Sequence, residues 1–312
     1  MIKFKEYNTY IIMYHYVREL KKGKSLNLNA LDYKKFQEQI KFFKKNCNII
    51  SSEEFIEICK NKKFLKKPSI ILTFDDGYKD HYKFVFPFLR KNKVSGTFYI
   101  PVNNIEKKTV LDVNKIQFVL AKENNKKKLL EKIFYYIRKY FHLKPDQLNL
   151  KSINLYDRYN NQDTMLIKNM LQYHLSKNIR KKVINSIFKD IVNLDEKEFS
   201  EDLYMSVENL KEMHKENMFF GSHGFDHECL EHLSFNRQDY DISNSISFLK
   251  RKKLIKNCMS ICYPFGSYNK DTIKLSKQYN FDFGICGDVG SVFKNRFKNK
   301  YLLPRYDTTD FL

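Results

Sequence analysis

The chain has 312 residues, 42% of them hydrophobic, and a formal charge of +21 at pH 7. That is enough apolar material for a substantial core and an ordinary length for a single α/β barrel. Lysine runs along the whole length instead of forming one block, which excludes a nucleic-acid-reading element and favours anionic lipid headgroups or phosphorylated substrates. The six cysteines form no CxxC pair, so zinc-ribbon and thioredoxin-like sites are excluded and buried, reduced thiols are expected. No run of about 18 apolar residues predicts a transmembrane helix. The opening "MIKFKEYNTYIIMYHYV" reads as a strand and lacks the small-residue cleavage site of a signal peptide, so a cytoplasmic location is expected.

In chain order, the first predicted strand is Tyr10–Tyr16, followed by the polar loop "RELKKGKSLNLNA". Asp32 then caps a helix whose apolar residues Tyr33, Phe36, Ile40 and Phe43 recur at helical spacing. Asn48–Ile50 is a short strand, and "SSEE" resembles a capping box opening a helix to about Cys59. Ile70–Phe74 is the next strand, Asp80–Lys91 a helix that bends at Pro87, and Ser95–Val102 a strand. This alternation predicts parallel βα units. From 105 to about 203 the rhythm breaks into amphipathic helix and polar loop, which predicts a helical insertion within one domain spanning 1–312. A helix at Val207–Asn217, a strand at Met218–Ser222 and a helix at Arg237–Lys252 follow. Strands at Ser260–Tyr263, Phe283–Cys286 and Leu302–Arg305 complete the set.

Chemistry gathers at the predicted strand ends. "TFDDGY" places Asp75 and Asp76 side by side after an apolar run. Ionised neighbours of this kind repel unless solvent or a cation relieves them, although Asp76-Gly77 alone would also suit a surface turn. "SHGFDH" sets His223 and His227 four apart, a spacing that suits one metal ion and that two structural histidines would also satisfy. Two imidazoles and one carboxylate make an open catalytic site, and the remaining aspartate then stands beside an activated water. "CYPFGSYN" contains Pro264 and Gly266, which fix a turn whose amides could hold an oxyanion. Arg305, in "LLPRYD", is either a solvated arginine or one placed to orient a carboxylate, and His15, in "MYHYV", either a structural histidine or a candidate general acid.

With these segments together, the chain resembles the NodB-type polysaccharide deacetylases, carbohydrate esterase family four. "TFDDGY" is similar to the family's first motif, "SHGFDH" to its second and "YPFG" to its third. The likeness extends through "DDGYKDHYKFVFPFLRKNKVSGTFYIP" and "LYMSVENLKEMHKENMFFGSH", covering roughly residues 8–104 and 204–309. It implies a distorted barrel of about seven parallel strands with helices outside. It also implies Asp75 as general base, Asp76, His223 and His227 as metal ligands, and the Phe265 amide as oxyanion donor, with Tyr263 and Gly266 beside it. Three departures stand out: Gly224 follows the first histidine where Ser or Thr is usual, Cys262 occupies the slot of a base-orienting Arg, and the C-terminal Leu-x-Ile-His motif is missing. Arg305 is the expected substitute for the arginine. The early "YH" resembles the permuted arrangement of some biofilm-polysaccharide deacetylases, which gives His15 the acid role.

The expected reaction is hydrolysis of an N-acetyl group on an amino sugar with a divalent ion, zinc by default and otherwise cobalt, nickel or iron. The expected partner is an N-acylated nucleotide- or lipid-linked precursor of lipopolysaccharide or capsule, with peripheral association at the inner membrane and no nucleic acid. A deformylase or another amide hydrolase is the alternative within hydrolases, and a catalytically silent glycan-binding protein the alternative outside them. The oligomeric state is open.

Overall fold

The computed structural model describes residues 3–20, 28–150, 161–293 and 299–311. Parts of the polar loop after the first strand and of the 105–203 insertion lie outside these residues. The first six strands are β1 (Thr9–Tyr14), β2 (Val17–Arg18), β3 (Leu31–Asp32), β4 (Asn48–Ile49), β5 (Ser69–Phe74) and β6 (Thr97–Ile100). Four more follow: β7 (Phe219–Ser222), β8 (Ser260–Cys262), β9 (Phe283–Ile285) and β10 (Tyr306–Asp307). The helices are α1 (Tyr33–Asn46), α2 (Ser52–Asn61), α3 (Phe86–Lys91), α4 (Val102–Lys107), α5 (Asp112–Lys122) and α6 (Lys126–Phe141). They continue with α7 (Gln162–Asn169), α8 (Lys177–Val192), α9 (Glu196–Leu203), α10 (Val207–Lys215), α11 (Phe235–Arg251) and α12 (Lys270–Gln278).

The chain forms two compact units. One comprises Met1–Leu20, Ala30–Lys108 and Ser200–Leu312, the other Lys21–Asn29 and Thr109–Phe199. In the first, a curled parallel sheet runs β10-β1-β5-β6-β7-β8-β9, and β4 pairs with the start of β5 on the edge that β6 takes over further along. Leu303 bridges Ile285 of β9 while Tyr306 pairs with Ile12 of β1, so the segment 303–307 links the two ends of this order. This is the distorted barrel that the family resemblance implies.

Strand alternation divides the apolar residues between two faces. Tyr14, Phe74, Phe98 and Phe220 are register partners on four neighbouring strands. Their rings lie 5.0, 4.8 and 5.8 Å apart in turn, and they pack with Phe36, Phe43 and Leu89 from α1 and α3. Ile11, Ile71, Tyr99 and Cys262 point the other way, with Phe55 and Cys59 of α2. The residue after Phe74 therefore leaves β5 toward the inner face, and that residue is Asp75.

Local signals hold well at the helix starts. Asp32 accepts the Lys34 amide, and Ser51 and Glu54 form a reciprocal capping box. Three expectations change. β1 stops at Tyr14, leaving His15 between strands. The last strand is Tyr306–Asp307, with Leu303 contributing only a single bridge. The Asp80–Lys91 helix opens as a π-turn over His81–Val85, where the Phe86 amide reaches back to the His81 carbonyl just before Pro87, which has no N–H to give. In the second unit, α8 buries Val183, Ile184, Ile187 and Phe188, and α6 buries Leu129, Ile133 and Ile137. The buried ammonium of Lys115 on α5 is held by Asn185 and Glu196, each at 2.7 Å.

Gly221 in β7 has Tyr99 and Ser260 pressed against it; a Cβ there would lie 2.4 Å from Tyr99 Cε1 and 2.8 Å from the Ser260 carbonyl. Gly221→Ala is expected to cost about 1–3 kcal/mol through overpacking. A urea midpoint unchanged from the parent would contradict this packing.

Candidate active site

Asp75 sits at the end of β5 with its amide bonded to the Tyr14 carbonyl at 3.0 Å, and it is 1% exposed. Its Oδ2 lies 2.6 Å from Arg305 Nη2, 3.8 Å from Cys262 Sγ and 3.9 Å from His15 Nε2. Burial alone would raise the Asp75 pKa, but the guanidinium of Arg305, aided by His223 and His15, holds it below the usual carboxylate range. The next residue breaks the strand. Asp76 has φ 69 and Gly77 φ 66, a left-handed pair that swings the second carboxylate away from the first. Asp76 Oδ2 accepts the Tyr78 hydroxyl at 2.6 Å, and Oδ1 has His227 Nε2 at 3.3 Å and His223 Nε2 at 3.6 Å. Burial again opposes ionisation, and the imidazoles of His227, His15 and His223 outweigh it, lowering the Asp76 pKa.

His223 follows β7. Its Nδ1 lies 2.7 Å from the Cys262 carbonyl, which can only accept, so Nδ1 carries the proton and Nε2 offers its lone pair toward Asp76. Burial lowers the His223 pKa to about 4, against the pull of Asp75, so the ring is neutral at pH 7. Between the histidines the backbone is anchored by Asp241 on α11, which accepts the amides of Phe225 at 3.0 Å and Asp226 at 2.7 Å. Gly224, which departs from the family pattern, has φ 74, and a Cβ there would meet Asp241 Oδ2 at 2.4 Å. Only glycine fits. Asp226 in turn pairs with Arg237, which also holds Glu228 at 2.9 Å, and accepts from Asn103 at 2.6 Å.

The remaining expected residues divide. His15 is two-fifths exposed in its side chain, and the buried His81 ring bonds its backbone carbonyl at 2.7 Å. Phe265 has φ 58 and lies edge-on to His227 with centroids 4.8 Å apart, 41% exposed at the site. Gly266 has φ 68, and a Cβ would strike Gly287 Cα at 2.4 Å. Tyr263 does not join them. Its amide bonds the Ile285 carbonyl, and its hydroxyl lies 3.0 Å from both Ser276 and the Tyr301 carbonyl. Cys262 faces inward, so by alternation Tyr263 faces outward, into the cluster of Leu230, Ile242 and Leu275. Tyr78, Asp241, Asn103 and Arg237 also support the site, a role the sequence alone does not assign to them. The "Y" of "TFDDGY" was the one local hint among them.

The donor set fits a divalent ion. Asp76 Oδ1 is buried without a hydrogen-bond partner and faces two imidazole nitrogens, and ligand atoms of Asp76, His223 and His227 lie within 4.8 Å of one another. Two nitrogens and a carboxylate oxygen with an open side match the composition of catalytic zinc centres.

The polysaccharide deacetylase family model matches residues 62–135 and 175–284, more than half of the chain. A candidate polysaccharide deacetylase of Bacillus subtilis (strain 168), YxkH, is 28% identical over 107 residues, which is 33% of this chain and 36% of that protein. The chain thus matches about a third of that relative's length. Among solved structures, the Streptococcus pyogenes deacetylase PplD in complex with acetate superposes with a TM-score of 0.61 at 17% identity, covering 97% of this chain and 93% of that one. IcaB from Ammonifex degensii gives 0.57 at 14% identity with the same coverage. At these identities the structures attest the fold.

Two predictions follow from the buried charges. Arg305→Met leaves the Asp75 carboxylate buried and unpaired, so a loss of about 3–5 kcal/mol is expected. Adding Asp75→Asn should recover part of it in chemical denaturation, whereas additive losses would show the pair to be uncoupled. His81 is held neutral by burial, its pKa lowered from 6.5 to about 4. The unfolded chain takes up this proton first, so its contribution is intact above pH 6.5 and lost as pH falls toward 4. His81→Gln should flatten the stability profile in that window, as thermal melts across pH would show.

Proposed function

The chain belongs to the polysaccharide deacetylase family, hydrolases of carbon–nitrogen bonds, and on that premise we propose that it removes N-acetyl groups from an amino sugar. The observation that carries this reading is the convergence of Asp75, Asp76, His223 and His227 with Arg305 seated 2.6 Å from the first carboxylate. PplD, described in complex with acetate, holds the acid that such a hydrolysis releases. We take the helices of the second unit to be the expected insertion.

In this mechanism Asp76, His223 and His227 hold a divalent ion, zinc by default. Such an ion supplies Lewis acidity toward the acyl oxygen and lowers the pKa of water. Asp75 takes the proton of the attacking water, and Arg305 keeps that carboxylate ionised and aimed. Cys262 stands near Asp75 where the family pattern has its arginine, so Arg305 performs from the segment preceding β10 the orienting task expected of that slot. The Phe265 amide, presented by a left-handed turn beside His227, donates to the developing oxyanion. His15, 3.9 Å from Asp75 and open to solvent on one side, gives its proton to the departing amine.

For the substrate, we propose an amino sugar on a phosphate-bearing nucleotide- or lipid-linked precursor, handled in the cytoplasm or at the inner membrane surface. The formal charge of +21 favours such anionic carriers. Among the described residues, no helix is long and apolar enough to cross a membrane.

Acetate release from a panel of acetylated sugar nucleotides, lipid-linked sugars and oligosaccharides, with and without a chelator, tests the reading. Release that the chelator abolishes is expected. Asp75→Asn should lower turnover by about 10²–10⁴-fold with metal content unchanged. Asp76→Asn should lose metal. Equal metal loss in both would overturn the division of roles, and sugar binding without metal or turnover would favour a glycan-binding protein.

A further inference from the structure

Two residues beyond His227 a second group of donors converges. Cys229, Glu231 and His232 present a sulfur, a carboxylate oxygen and an imidazole nitrogen within 4.8 Å of one another. Cys229 Sγ lies 3.6 Å from Glu231 Oε1, and His232 Nε2 lies 3.7 Å from the same oxygen. A tetrahedral zinc ion, with bonds of about 2.3 Å to sulfur and 2.0–2.2 Å to nitrogen or oxygen, places its donors roughly 3.4–3.6 Å apart. The two distances to Glu231 Oε1 are close to that, and close to the 3.3 and 3.6 Å within the Asp76 trio.

The backbone of this turn is built in. Leu230 is fully buried and anchors it, the His232 amide bonds the Cys229 carbonyl at 3.2 Å, and the Glu231 amide donates to Ser267 Oγ at 3.0 Å. Asn269 Nδ2 donates to the Glu231 carbonyl at 3.2 Å, and Cys229 Sγ itself lies 3.1 Å from Ser267 Oγ. Three donors are thus set on one short turn, with the Glu231 and His232 side chains 48% and 63% exposed and open to water on the outer side.

We propose that Cys229, Glu231 and His232 form a second divalent-metal site, separate from the Asp76 trio, that takes zinc and completes its coordination with water. Sulfur and imidazole donors select a borderline-soft ion such as zinc or cobalt over calcium or magnesium. An ion there ties the turn following His227 to itself beside the Ser267 loop. The inference does not depend on the proposed reaction, because it shares no ligand with that centre.

Cobalt(II) titrated into metal-stripped protein provides the test. A sulfur-to-cobalt charge-transfer band is expected in the parent and in Cys262→Ser, and is expected to vanish in Cys229→Ser. Zinc content should fall by one ion per chain in Cys229→Ser/His232→Ala whether or not the Asp76 trio is loaded, with the thermal transition still cooperative. A parent without the band, a band that persists in Cys229→Ser, or an unchanged zinc content in the double variant would overturn the site. Loss of acetate release on chelation, by contrast, reports only on the Asp76 centre.

Discussion

Adjacent carboxylates buried together can both stay ionised only if each has its own stabilising partners, a cation or hydrogen-bond donors. Here the left-handed backbone at Asp76 supplies that separation. Asp75 leaves β5 toward a guanidinium, while Asp76 is rotated toward two imidazoles and a phenol. Were the strand to continue in extended form, alternation would send the second side chain to the outer face, in register with Tyr16 and Ile100. The left-handed turn is therefore what makes two adjacent carboxylates into two electrostatically distinct positions. The glycine after it, with φ 66, lets the chain complete the turn.

What could be read from the sequence was whatever a short stretch settles by itself. The caps at Asp32 and Ser51 depend on residues three apart or fewer, and the apolar run ending in Asp75 declares its strand without outside help. Arg305, by contrast, is a candidate from its place after a short apolar run, and its pairing with Asp75 in particular depends on a partner 230 residues away. The strand assigned around it was shifted, because pairing with Ile12 on one side and Ile285 on the other is decided by distant partners. Tyr263 was misplaced by treating a motif as a unit: the turn belongs to the site, but the period of two sends that one side chain outward. Asp241 carried no signal, since an aspartate in the middle of a polar helix looks solvated until its two amide donors are found, sixteen and fifteen residues earlier.

The departures from the family pattern come with compensating partners. At Gly224, the missing Cβ makes room for the Asp241 carboxylate, whose pKa burial pushes up to about 6 even as it accepts two backbone amides. At Cys262, a thiol fills the inward position and its carbonyl fixes the His223 tautomer, so the residue contributes through its backbone whatever its side chain does. The cation that the side chain lacks arrives from the segment linking β9 to β1.

The late position of Arg305 in the chain sets the order in which the charges around Asp75 come together. Asp76, His223 and His227 are joined by β5 and β7, but the guanidinium that matches Asp75 belongs to a segment more than two hundred residues further along the chain. A nascent polypeptide emerging from the ribosome can bring Asp76, His223 and His227 together before that segment exists, and Asp75 then lies buried without its guanidinium, where protonation is favoured. Ring closure and the pairing of Asp75 with its guanidinium are consequently one event, so an incompletely synthesised barrel carries a buried carboxylate without its counter-cation.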